Sequence, residues 1–355
     1  MEDLVMKEFW YGKNILLTGH TGFKGSWLAE ILLDLGANVT GCALEADRED
    51  HLFHLCKLQH RLDHQIVDIR NKSHLLEIIQ CKKPDVVFHL AAQALVLPSY
   101  EAPFATWETN VIGSLNILEC LKTISHRCAV VMVTTDKVYD ITNETYPKTE
   151  RDCLGGLDPY SSSKAAMEIA ISSWRSSFFA KTGVRIASAR AGNVIGGGDW
   201  SSHRIMPDLI HSLQNETVLE LRNPKAVRPW QHVLEPLFGY LRLAEALYQE
   251  TNEIYQSSFN FGPDNSLISS VNDLVTEAVK AWGGEIRPSS ESAKHYETPY
   301  LSIDSSKARS LLGWESLWTF PETVFYTVDW YKRYFQGEVA SSLLKEQINV
   351  YANRG

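Results

Sequence analysis

Tyr160 and Lys164 stand four residues apart in "YSSSK", the spacing that puts two side chains on one face of a helix. An ammonium beside a phenol favours the phenolate, so a tyrosine of ordinary pKa near about 10 can act as a base closer to neutrality. A second reactive stretch, "TTDKVYD" at 134–140, follows the apolar run "CAVVMV" and sets Thr135, Asp136 and Lys137 side by side where a buried strand gives out. A hydroxyl, a carboxyl and an ammonium in sequence offer a hydrogen bond, an acid, and a base or fixed positive charge. Alone, each stretch has a simpler reading: a polar loop with a local ion pair, and a helix surface decorated with Tyr and Lys. A third feature changes that balance. "TGHTGFKG" carries Gly19, Gly22 and Gly25 in a G-x-x-G-x-x-G spacing, and with them Thr135, Tyr160 and Lys164 form a Thr/Tyr/Lys set suited to hydride transfer.

These glycines lie between a predicted strand and a predicted helix. There the backbone can approach a pyrophosphate whose charge is stabilised by free N–H groups and the helix dipole. A plain tight turn is the alternative. About 20 residues beyond such a motif an acidic residue often holds the adenosine ribose; in "CALEADR" the candidate is Glu45, with Ala43 or Leu44 the alternatives for the strand end, which makes NAD a preference over NADP. Asp68 in "VDIR" is placed to accept from an adenine amino group, or to serve as a loop carboxylate or helix cap.

The elements that must carry these residues alternate. "KNILLT", "ANVTGCA", "HQIVDI", "PDVVFHL", "CAVVMVT" and "VRIASAR" read as strands, with helices over "GFKGSWLAEILLDLG" and around 101–122 and 158–180. Continuous apolar strands indicate a parallel sheet covered on both faces, a Rossmann-type doubly wound α/β fold. After Arg190 the rhythm changes. The Gly-rich "AGNVIGGGDW" leads into short strands ("VLELR", "FNFG", "YLSID") and helices near 234–249, 271–282 and 321–335. The expected division is a dinucleotide-binding domain over 1–190, with returning segments near 230–262, and a smaller α+β substrate lobe mainly over 191–355. The substrate is expected in the cleft between them.

The 355 residues suit two such units, and 44% hydrophobic with 22% charged residues is ordinary for a globular chain. A net charge of -9 argues against bulk nucleic-acid binding. Apolar runs are too short for a bilayer span, and "MEDLVMKEFWYGKN" lacks an apolar h-region, so a cytoplasmic enzyme is expected. The six cysteines contain no C-x-x-C pair and are read as reduced and structural, with no metal site.

The glycine spacing, "HLAAQ", "TNVIGSLNILE" and "DPYSSSK" resemble the extended short-chain dehydrogenase/reductases, in particular their nucleotide-sugar-modifying branch. Within it, "GHTGFKGSWL", "TTDKVYD", "GGLDPYSSSK" and "ARAGNVIGGGDW" are similar to the 4,6-dehydratases that act on CDP-glucose, over residues 13 to about 333. The resemblance implies tightly held NAD, bound through Gly19, Gly22, Phe23, Gly25, Asp68, Ile69, Ala91, Tyr160 and Lys164. It implies a homodimer or higher homo-oligomer built by the helices near 101–122 and 158–180. It also implies a mechanism. Tyr160 takes the C4 hydroxyl proton as the C4 hydride passes to NAD, Lys164 holds the nicotinamide ribose, and Thr135 bonds the C4 oxygen. Asp136 is then the acid for the departing C6 hydroxyl. Lys137 stands where another branch of the family has a glutamate base, and either takes the C5 proton or assists through a water or its charge. Substrate contacts fall to Asn193, Arg204, Arg228, His295 and Tyr300. Two positions depart from the pattern: Leu97, where an arginine is common, and His203, where an aspartate usually precedes the arginine. A 4-epimerase or decarboxylase on the same scaffold is the rival enzyme, and a non-catalytic dinucleotide sensor the rival binding protein.

Overall fold

The structure is a computed structural model that describes residues 7–141, 146–264, 269–285, 288–290 and 300–354. Seven strands, β1 (Asn14–Thr18), β2 (Asn38–Ala43), β3 (Asp63–Ile66), β4 (Val86–His89), β5 (Cys128–Val133), β6 (Val184–Arg190) and β7 (Ser258–Asn260), form one sheet in the order β7-β6-β5-β4-β1-β2-β3. All neighbours run parallel. β1, β4, β5 and β6 are almost wholly buried, as their unbroken apolar runs require. The chain order reverses between β1 and β4. At such a switch point the two flanking loops diverge and leave a crevice beyond the carboxyl ends of the strands.

Helices cover both faces. On one lie α1 (Phe23–Asp34) and the C-terminal elements; on the other lie α2 (Lys72–Lys82), α3 and α4. α3 runs Pro103–Trp107, through a π-helical stretch Glu108–Gly113, and on as Ser114–Leu121; α4 is Pro159–Trp174, extended by a π-helical turn Arg175–Phe179. The second half contains α5 (Ile205–Asn215), α6 (Leu234–Gln249), α7 (Val271–Trp282), α8 (Phe320–Phe335) and α9 (Ala340–Ala352). Short two-strand pairings join 219–221 with 288–290 and 227–228 with 269–270. Among the described residues no helix is long and apolar enough to cross a membrane.

"FNFG" lies in the stretch near 230–262 expected to return to the first domain, and Ser258–Asn260 pairs with β6 at the edge of the main sheet. Two elements differ from the sequence expectation. "YLSID" makes only isolated bridges, Tyr300 to Val227 and Ile303 to Lys148. "HQIVDI" is strand only to Ile66 and is half-exposed, because an edge strand has one neighbour to pair with and less to cover it.

α9 carries a buried acid clamp. Glu235 on α6 is fully buried and accepts hydrogen bonds from Trp318 N (2.8 Å), Leu317 N (3.0 Å) and the Tyr351 hydroxyl of α9 (2.5 Å). Burial pushes its carboxyl up to about 7. A carboxyl raised on folding stabilises the protein most below its unfolded pKa, and loses that contribution as pH rises through the folded value. The native chain should therefore lose Tm between about pH 5 and 8, and Glu235→Gln is expected to flatten that decline; parallel Tm profiles would refute this assignment.

Candidate active site

β1 ends at Thr18, and Gly19 turns the chain with φ of +78°. A Cβ on Gly19 would lie 2.7 Å from Ala91 N, and one on Gly25 would lie 2.0 Å from Gly19 O. The loop is thus pressed against the segment after β4 and against the first turn of α1, so both sites exclude any larger residue. Gly22 caps α1 with no side-chain acceptor, and the first turn holds no acid. An uncapped helix N-terminus at the switch point, with its N–H groups uncompensated, fits a dinucleotide pyrophosphate. Phe23 lies beside Gly196, and Ile69 packs against Gly113 of α3. Glu45 is exposed, two residues beyond β2. Asp68 is engaged by its neighbour: Arg70 donates to it at 2.6 and 3.0 Å and also reaches Glu108 at 2.7 Å. The Arg70 hydrogen bonds hold the Asp68 carboxyl below its usual range.

After β5 the chain stays extended through Thr135 and then tightens into a 3-10 turn, Asp136–Val138. The Thr135 hydroxyl accepts weakly from Lys137 N (3.4 Å), donates to Asp136 Oδ1 at 3.0 Å and lies near enough to the Tyr160 phenol to favour its phenolate. Asp136 is fully buried and its Oδ2 has no partner. Lys137 is half-buried. Tyr160 and Lys164 are presented by the first turns of α4, which starts at Pro159 with Asp158 as its cap, accepting from Ser161 N at 2.9 Å. Pro at the first helical position and Asp at the cap fix where this helix begins, and so where the tyrosine points. Burial pushes the Tyr160 phenol up to about 12, opposed by the Thr135 hydrogen bond. Burial also lowers Lys164 to about 8, opposed by Glu168. The ammonium donates to Val133 O at 3.3 Å.

The Thr135, Asp136, Tyr160 and Lys164 group foreseen from sequence is therefore one connected cluster at the carboxyl end of β5. Arg204 joins it electrostatically: it acts on both Tyr160 and Lys24, and is held by buried Asp199 at 2.9 Å. Asn193 sits in the left-handed region (φ 49°) with its buried Nδ2 unpartnered. Arg228 is buried and pairs through its strand with the segment of Tyr300. His295 lies outside the described residues. Leu97 is half-buried in the short helix Val96–Glu101, and His203 has a left-handed backbone (φ 66°) beside Arg204.

Three features of this site escaped the sequence reading. Lys24 is in the first turn of α1, and burial, then Arg204, lower it to about 7 while Asp136 opposes. A cation is disfavoured at a helix N-terminus, and that misplaced charge was the available signal. His20 is buried, its Nε2 2.7 Å from His64 Nδ1, and burial lowers it to about 4. Gly192 is the third: a Cβ there would stand 1.9 Å from the Asp136 carboxyl. Gly192→Ala is expected to cut turnover by about 10²-fold, the scale of a small misplacement of a reacting group, with an unchanged circular dichroism spectrum. Near-native turnover would show that Asp136 has room to move.

A deprotonable phenol, a lysine ammonium and a buried carboxyl within one cluster can take the proton of an alcohol whose hydride goes to a dinucleotide, and protonate a leaving hydroxyl. Residues 16–327 match the model of the GDP-mannose 4,6 dehydratase family. The chain is 42% identical to the CDP-glucose 4,6-dehydratase of Salmonella typhimurium over 98% of both chains. Its fold is similar to that of a Thermus thermophilus UDP-glucose 4-epimerase solved with NAD (TM-score 0.77, 25% identity, 92% of this chain and 99% of that one). The Bacillus anthracis dTDP-glucose 4,6-dehydratase, also solved with NAD, superposes with a TM-score of 0.75 at 22% identity, covering 92% of this chain and 98% of that one.

Proposed function

Because the chain belongs to the GDP-mannose 4,6 dehydratase family and is an NAD-dependent nucleotide-sugar 4,6-dehydratase, we propose that its substrate is CDP-glucose and its product CDP-4-keto-6-deoxyglucose. The observation that carries the dehydratase chemistry is the buried Asp136 carboxyl. It accepts from Thr135, which also lies beside the Tyr160 phenol, and leaves one oxygen free to meet a leaving group. The choice of nucleotide rests on the 42% identity to a CDP-glucose enzyme.

In this reading the loop of Gly19, Gly22 and Gly25 with the start of α1 holds the NAD pyrophosphate, and Lys164 holds the nicotinamide ribose. NAD, when bound, supplies a reversible two-electron acceptor for C4 and returns the pair at C6. Tyr160 accepts the proton from the C4 hydroxyl while Thr135 orients the oxygen. The resulting ketone acidifies C5–H. Lys137, in the turn beside Asp136, serves the C5 side, either by taking that proton or by stabilising the enolate with its charge. Asp136 gives its proton to the C6 hydroxyl, which leaves as water, and C5 is reprotonated as C6 is reduced. The net change is loss of one water, so no external reductant is consumed. Asn193 and Arg204 are assigned to the substrate diphosphate, a role that guanidinium geometry suits.

The test is mass spectrometry of products after incubation with CDP-glucose, and separately with UDP-, dTDP- and GDP-linked hexoses, in deuterated water. Loss of one water from CDP-glucose alone, with one deuterium retained at carbon, is expected. An unchanged mass with an isomerised sugar would instead establish the epimerase.

The proposed partner in assembly is a second copy of the chain. Phe104, Trp107 and Ile112 of α3 and Ile169 of α4 are exposed on one mutually packed helix pair, a cluster of large apolar side chains that a monomer gains nothing by showing to water. Light scattering of the native chain should give a dimer or higher assembly, and Trp107→Glu with Ile169→Glu should shift it to monomer.

A further inference from the structure

Behind the Tyr160 and Lys164 pair lies a charged network to which the mechanism above gives no role. Glu168 is one turn after Lys164 on the inner face of α4, and Arg190 is the last residue of β6; both are buried, and their ion pair measures 2.8 Å. A buried ion pair is a poor way to gain stability, since apolar residues of similar size fill such a site at no desolvation cost. The pair is nevertheless supported on both sides, with Arg190 Nε alone of its polar atoms left unpartnered. Glu168 accepts from the hydroxyls of Thr134 (2.5 Å), Ser188 (2.7 Å) and Ser258 (3.1 Å), and Arg190 donates to the Tyr139 hydroxyl (2.8 Å) and to Ser258 (2.9 Å). The Tyr139 hydroxyl in turn donates to Asn260 Oδ1 at 2.6 Å. Two of these partners, Thr134 and Tyr139, bracket the Thr135–Asp136–Lys137 segment.

We propose that Glu168 is a positioning residue for the dehydratase reaction: its carboxylate, held by Arg190, anchors the end of β5 to α4 and supplies the counter-charge to the Lys164 ammonium. The inference rests on the function proposed above and assigns that site a supporting group. Lys164 is surrounded by groups that do not replace this charge. Lys24 at the start of α1 repels it, His89 at the end of β4 is held neutral by burial, and Arg190 on β6 is itself cationic. Tyr160 on the same helix is a neutral phenol in the free protein, Asp136 is across the turn after β5, and Arg175 at the end of α4 faces Glu168 rather than Lys164. Among these groups Glu168 is the one that opposes the effect of burial on Lys164.

The test follows the Lys164 15Nζ resonance against pH in the purified protein, assigned with Lys164→Arg, alongside the pH profile of kcat/KM. Glu168→Gln should move the Lys164 midpoint down from about 8 by about one pH unit, the scale of a single nearby charge. The alkaline fall in kcat/KM should move with it. A folded Glu168→Gln protein with an unmoved midpoint would overturn the proposal, whatever its loss of Tm. Should the unpaired Arg190 prevent folding, the double variant Glu168→Gln, Arg190→Met is read against Arg190→Met alone, so that the Glu168 charge is the one difference between them. Glu168→Asp is the conservative control: it retains the charge and should restore most of the midpoint, and a midpoint as low as that of Glu168→Gln would equally overturn it. The resonance does not depend on turnover, so a protein inactive on every nucleotide sugar would remove the functional reading while leaving this inference tested.

Discussion

Asp136→Asn is expected to lower dehydration of CDP-glucose by about 10²- to 10⁴-fold, the range that a positioned general acid contributes, while leaving oxidation at C4 in place. The carboxyl is fully buried against Gly192 and is held at Oδ1 by Thr135. Asparagine matches its shape and keeps a hydrogen bond to Thr135, but has no proton to give a leaving hydroxyl. The variant should therefore accumulate the 4-keto sugar with its C6 hydroxyl intact. Trapping with borodeuteride and locating the label at C4 of an undehydrated hexose is the measurement. Normal product at a normal rate would remove Asp136 from the elimination.

Tyr160→Phe is expected to fall by a similar factor of about 10²–10⁴, and the borodeuteride trap should then find no 4-keto sugar at all. Loss at the first step rather than the second is what distinguishes the two variants. In the free protein burial holds the Tyr160 phenol at about 12 and Lys164 at about 8. At neutral pH the ammonium is therefore mostly protonated while the phenol is neutral. As pH rises through about 8 Lys164 loses the charge that favours the phenolate, so native kcat/KM should decline on the alkaline side. A profile that climbs steadily to pH 10 would mean that the tyrosine titrates without help from the lysine.

Much of this was legible in the chain. The six expected strands all pair in one parallel sheet, because unbroken β-branched runs have few alternatives to a doubly covered sheet. Helices expected near 234–249 and 271–282 occur at Leu234–Gln249 and Val271–Trp282, and that near 321–335 at Phe320–Phe335. Other features were hidden because they depend on partners distant in sequence. α9 is held by Glu235, more than a hundred residues away, and nothing local to either announces the contact.

The same division runs through the site. By itself the sequence determined its chemistry: the glycine spacing, the Tyr160 to Lys164 interval and the Thr135, Asp136 and Lys137 triplet are local patterns, each set by helix periodicity or by the turn after a strand. Only the tertiary structure decided what surrounds that chemistry. Gly192 makes room for Asp136, Lys24 and Arg204 bring positive charge to the site, and Arg190 from β6 holds Glu168 in place behind Lys164. Electrostatic and steric effects act through space, over a few ångströms between strands and helices far apart in the chain, and no interval along the sequence encodes them.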